Sequence, residues 1–92
     1  MKLSEMWHLA AKELKQGKYS YYFHWTDTHC AYGALVHYIS GHETCLTCHS
    51  VIPPKVKIVA RPFMLATQIV TNNDENNWSF EDFAKKAEEL GL

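Results

Sequence analysis

The sequence predicts an α+β fold, mainly α: about four short helices with one or two short strands, in a single small domain over residues 1–92. Three observations predict it. Apolar residues recur at helical spacing in stretches that open on capping residues and close on glycine or asparagine. Only two short stretches alternate as strands do. Ninety-two residues with 47% apolar and 13% aromatic content are enough for one modest core and leave no room for a second.

The first helix is expected over Ser4–Gln16, with Ser4 as cap, Leu3, Met6, Trp7, Ala10, Ala11 and Leu14 on one face and Gly17 as the stop. His8 falls on its solvated side. From Lys18 to Trp25 the aromatics Tyr19, Tyr21, Phe23 and Trp25 occupy alternate positions, which reads as a half-buried strand with Tyr22 and His24 facing outward. Asp27 or Thr28 then caps a second helix running to Ser40, with Gly41 at its end. That helix is apolar nearly all round and is therefore expected at the centre. Gly41 to Ile52 reads as an irregular loop closed by Pro53 and Pro54. Lys55–Ala60 reads as a short strand with Val56 and Ile58 inward. Pro62 opens a third helix, Phe63 to about Thr71, stopped by Asn72 and Asn73. The last helix carries the strongest signals. Ser79 caps it, Asp82 completes a capping box, Trp78 and Phe83 stand at staple spacing, and Phe80, Phe83, Ala84, Ala87 and Leu90 form its stripe before Gly91.

Composition excludes several classes. The net charge is −1 with a pI of about 6.6, which argues against an electrostatic grip on double-stranded nucleic acid. No apolar run approaches the roughly 20 residues of a membrane span, and nothing near Lys2 resembles an export signal, so the expected setting is the cytoplasm. Three cysteines cannot all pair, which suits a reducing compartment with free thiols or a metal. Charge divides unevenly: residues 1–61 carry seven basic and four acidic side chains, and residues 62–92 carry two and six.

Six histidines and three cysteines direct attention to metal and thiol chemistry. His42, Cys45, Cys48 and His49 lie within eight residues, and the cysteine pair has the spacing of a zinc knuckle. Four such close ligands rarely enclose one ion, so a second pair is needed from Cys30, His29 or His24. Cys45-Leu-Thr-Cys-His49 also matches a c-type haem attachment pattern, with Met64 as second axial ligand, but the export that haem attachment requires has no support. A thioredoxin-like site would need a βαβ setting, which Ser50-Val-Ile-Pro-Pro54 does not provide. His42-Glu43 satisfies neither the zincin nor the deaminase pattern. Cys30, at a helix start, is the candidate nucleophile of a cysteine hydrolase; His37 stands about 10 Å along that helix, too far to be its base. The alternative for Cys30 is close packing in the core.

Ligand binding has its own candidates. Tyr19, Tyr21, Tyr22 and Trp25 supply aromatic surface, and Lys55, Lys57 and Arg61 supply cations; together they are what a nucleotide or another planar anion requires. Single-stranded nucleic acid would use the same parts less well at this charge. The bland reading places the aromatics in the core and the cations in solvent. Asn72–Asn77 is oxygen-rich but lacks the glycine and glutamate of a calcium loop.

Cys30-Ala-Tyr-Gly-Ala-Leu35, followed by Asn73-Asp74 ahead of a closing helix, resembles small uncharacterised proteins of bacteria and their phages. The resemblance implies a small accessory protein and brings no activity with it. The expected function is a non-catalytic protein, homo-oligomeric, that binds a small ligand or a partner protein, with capture of a host signalling nucleotide as one version. A zinc-stabilised interaction module and a Cys30 hydrolase are the alternatives.

Overall fold

The computed structural model describes residues 1–23, 25–41 and 54–92, together with the backbone of 46 and 47. Among these residues the order is α1 (Leu3–Glu13), β1 (Lys15–Gln16), β2 (Ser20–Phe23), β3 (Thr28–His29), α2 (Ala31–Ser40), β4 (Leu46–Thr47), α3 (Pro54–Ala60), α4 (Ala66–Asp74) and α5 (Phe80–Glu89). The class is α+β, mainly α, as the sequence predicts, with one more helix and more strands than expected.

Helix α2 is the central element, and all of Ala31–Val36 is buried. It starts later than Asp27 or Thr28 because Thr28 and His29 pair as β3 with both β1 and β2. Cys30 is its N-cap, and the Cys30 Sγ accepts a hydrogen bond from the Gly33 amide at 3.4 Å. Gly41 ends it in the left-handed conformation, φ 66°. Gly33 serves a different need. A Cβ there would stand 1.7 Å from the Tyr21 carbonyl oxygen, so only glycine lets β2 cross the helix this closely.

The sheet order is β1-β3-β2-β4. Strand β1 runs parallel to β3, and β2 is antiparallel to both β3 and β4. Recruitment of Lys15 and Gln16 into β1 is why α1 stops at Glu13 rather than Gln16. Strand β2 is shorter than the Lys18–Trp25 stretch, and its aromatics do not share one side. Tyr21 is buried, whereas Tyr19 (67%), Phe23 (39%) and Trp25 (78%) are exposed. The alternation breaks because Tyr19 and Asp27 adopt positive φ and the chain turns after Phe23.

Helices α1 and α5 lie against each other. Trp7 is fully buried between Phe63 and Phe83, with ring centroids 4.9 and 5.1 Å away, and its Nε1 donates to the Ala31 carbonyl at 3.0 Å. The capping box forms as expected, with the Asp82 amide donating to Ser79 Oγ at 3.1 Å and the Ser79 amide donating to Asp82 Oδ2 at 2.8 Å. Hydrogen bonds from the Ser79 amide and then its hydroxyl hold the Asp82 carboxyl below its ordinary pKa. Phe80, Phe83, Ala84 and Ala87 are buried. Leu90 is not, because the helix has ended and Leu90 is its C-cap, half exposed.

Two expectations fail between residues 54 and 74. Lys55–Ala60 is helical, not a strand: Val56 and Ala60 are buried one turn apart, and Ile58 is 71% exposed. Six residues fit either period, and Pro54 at the first helical position favours the helix. The next helix begins at Ala66, not Phe63, and runs through Asn72 and Asn73 to Asp74. Asn73 does not stop it, because its side chain is engaged elsewhere and does not compete for its own backbone.

That engagement fixes the fold. Asn73 is 1% exposed. Its Oδ1 accepts from Gln16 Nε2 at 2.8 Å and from the Ala31 amide at 3.0 Å, and its Nδ2 donates to the Gly17 carbonyl at 2.9 Å and to Asp74 Oδ1 at 2.8 Å. Every donor and acceptor of the side chain is used. Gln16 extends the network to α5, donating to the Trp78 carbonyl at 2.7 Å and accepting from the Phe80 amide at 2.8 Å. Asp74 accepts from the Tyr19 amide at 3.1 Å.

Asn73→Asp keeps the shape, removes both donations and sets a carboxylate beside Asp74; a loss of about 2–4 kcal/mol is expected in urea unfolding. His8 lies between two α5 carboxylates, with Nδ1 3.1 Å from Glu81 and Nε2 against Glu88. Glu88 and then Glu81 raise its pKa above the ordinary 6.5. A raised folded-state value stabilises the fold at pH below the unfolded value, and the effect is lost as pH rises through the folded value. His8→Gln should therefore lower the unfolding midpoint at about pH 5.5 and leave it unchanged at about pH 9.

Candidate functional site

Helix α3 turns the basic segment into a site. Because it is helical, Lys57 and Arg61 stand one turn apart, with the Arg61 amide bonded to the Lys57 carbonyl at 3.0 Å. Val56 and Ala60 anchor the helix inward. The chain then turns tightly, with the Phe63 and Met64 amides on the Ala60 carbonyl at 3.0 and 3.2 Å, and reaches Leu65 in an extended conformation. Leu65 is the N-cap of α4 and offers no side-chain acceptor to the first turn; Gln68 reaches back to accept from its amide at 3.2 Å.

A groove of about 300 Å³ opens here, lined among the described residues by Lys57 and Arg61 together with Tyr32, Ala60, Met64, Leu65 and Ala66. The cations supply charge for an anionic head, and the remaining side chains supply an apolar bed. The positive end of the α4 dipole, at Leu65 and Ala66, adds in the same sense. Burial raises the Tyr32 phenol pKa, which keeps it protonated and able to donate.

The sequence-predicted residues fall in three places. Lys57 and Arg61 line the groove, and Lys55 is exposed on the same helix without lining it. The aromatic group does not join them. Tyr21 is buried against Tyr32, 5.7 Å between ring centroids. Tyr22 stacks on His29 at 4.6 Å and its hydroxyl donates to Asp27 at 3.0 Å, while Tyr19 and Trp25 are exposed near the ends of β2. A strand over residues 55–60 would separate Lys57 from Arg61 and leave Tyr32, Met64 and Leu65 unconnected to them. The signal that could have found the site is the spacing of the two cations, four residues apart.

His42, Cys45, Cys48 and His49, and also His24, lie outside the described residues. Of the others, His29 is buried with its ring 5.2 Å from that of His37, which in turn meets Tyr38 at 4.8 Å. Burial and the bond from Tyr38 to Glu13 push the Tyr38 hydroxyl up to about 12. Cys30 has no accessible surface and serves as the cap of α2. Among the described residues no group of three or more histidine, cysteine or acidic side chains is placed to hold a metal ion, and no helix is long and apolar enough to cross a membrane.

No family model matches the chain, and no curated protein or solved structure matches it either.

Alkylation of Cys30 is expected to follow opening of the fold rather than thiol ionisation. Peptide mapping after iodoacetamide should show Cys30 protected in the native protein and modified in urea.

Proposed function

We propose that this is a non-catalytic binding protein that takes a small organic anion, nucleotides among them, in the groove between α3 and α4. One observation carries the reading: Lys57 and Arg61 stand a single turn apart over an apolar bed, at the N-terminal end of α4. Two cations one helical turn apart, Lys57 on α3 and Arg61 directly after it, meet a charged head together, Arg61 by its planar fork and Lys57 as a point charge. Met64, Leu65 and Ala60 accept the uncharged part. The volume suits a compact ligand, since about 300 Å³ is at the small end for ligand pockets. Adenosine monophosphate is expected to bind at low ionic strength, and Arg61→Ala and Lys57→Ala should each weaken binding about tenfold. Rising salt should weaken it further. Calorimetric titration checks this; equal binding by the wild type and both variants would overturn the reading.

A second reading, a zinc-stabilised interaction module, is favoured by one placement. Strand β4 comprises the two residues between Cys45 and Cys48 in the chain, and it is hydrogen-bonded to β2. On the other side of β2 lies β3, whose His29 meets His37. The pairing of Leu46 and Thr47 thus ties the cysteine-bearing segment of the chain to the sheet that holds His29, and a tetrahedral site takes its ligands from separate segments in this way. Metal analysis of untagged protein tests it: one bound zinc, with a lower unfolding midpoint in chelator, is expected on this reading and not on the first.

A further inference from the structure

We infer that Tyr32 sets which anion the groove accepts, its hydroxyl being a third hydrogen-bond donor that selects a phosphoryl head over a carboxylate. The inference rests on the groove reading above and goes beyond it in naming the ligand class, a free phosphomonoester. Tyr32 belongs to α2, the central helix, and lines the groove together with Lys57 and Arg61. The residue is 1% exposed, yet its hydroxyl makes no hydrogen bond to any described residue and is not among the polar atoms sealed from solvent. The groove that Tyr32 lines is where that hydroxyl is left to find a partner.

A hydroxyl that meets only water at the edge of the groove is free to donate to a ligand oxygen, which takes the place of that water. The geometry of the head decides which ligand can do so. A carboxylate has two oxygens in one plane, and Lys57 on α3 and Arg61 just after it can satisfy them from one side. A phosphomonoester has three terminal oxygens arranged about phosphorus. When two of them meet the cations, the third points away and needs a donor from another element. Tyr32 is such a donor, fixed by core packing against Tyr21 at 5.7 Å. It carries no charge, so it favours the extra oxygen without adding to the general attraction for anions.

Hexyl phosphate and heptanoate have similar chains and differ in the head, so they separate the two contributions. Wild-type protein is expected to bind hexyl phosphate about tenfold more tightly than heptanoate, and Tyr32→Phe to bring the two close to equal by weakening only the phosphate. The variant removes an oxygen that has no partner among the described residues, so its unfolding midpoint should match the wild type. A Tyr32→Phe protein that folds and keeps the preference would overturn the inference and leave the groove reading standing. Failure of the wild type to bind either compound would overturn both. Binding to vesicles containing phosphatidic acid without binding to hexyl phosphate would also overturn it, because the head would then be recognised only on a lipid surface.

Discussion

The side-chain amide of Asn73 is the point on which the arrangement of the other elements depends. A buried carboxamide is stable only when both acceptor positions and both donors are occupied. Here they are filled by β1, the residue after it, the first amide of α2 and the neighbouring Asp74. The pattern also fixes the orientation of the amide, because reversing it would set an NH₂ group against the Ala31 N–H. Gln16 passes the same constraint to the start of α5. Hydrophobic burial supplies most of the stability, but it is non-directional. The directional bonds determine how α2, α4 and α5 stand relative to one another, and thereby where the α3–α4 groove lies.

Cys30-Ala-x-Gly-Ala-Leu35 and Asn73-Asp74 look like separate features along the chain, and in space they touch. Asn73 accepts from Ala31, Cys30 caps the same helix end, and Gly33 lets β2 pass one turn further on. Each residue type answers a local demand: a small acceptor at the cap, no side chain where two backbones meet, and an amide where donors and acceptors both need partners. The groove stands apart from this apparatus and is joined to it through Tyr32 on α2. The scaffold therefore holds Tyr32 by core packing, whereas Lys57 on the short α3 and Arg61 just after it carry long, exposed side chains.

How much of the fold is legible in the chain varies with the origin of each signal. Helix α5 is legible almost residue by residue because its cap, staple and stripe are all local. Helix α2 is legible from its unbroken apolar character and Gly41. Strands β1 and β3 are not, since two-residue strands have no periodicity and exist only through pairing with distant partners. Residues 55–60 mislead because Val56, Ile58 and Ala60 satisfy a period of two as well as a helix. Asn73 reads as a helix stop, since nothing nearby in sequence reveals that its amide is needed elsewhere. For the site, Lys57 and Arg61 are legible as charge, but their relation to each other depends on the helix. Tyr32 reads only as part of a buried helix.

The contacts of Asn73 also bear on how the molecule is made. Its partners Ala31, Gly17 and Gln16 lie 42, 56 and 57 residues earlier in the chain. Closing loops of that length costs entropy before any of these bonds can form. A chain rich in helices would ordinarily gain most of its contacts locally and fold fast, yet this one must join distant segments to complete a single polar cluster. During synthesis the first three-quarters of the polypeptide can form helical turns but must wait for residue 73 to fix their positions. The rate of folding is thus tied to a side chain that emerges late, and the interval before it arrives is when the Trp7 and α2 surfaces are most open to association with other chains.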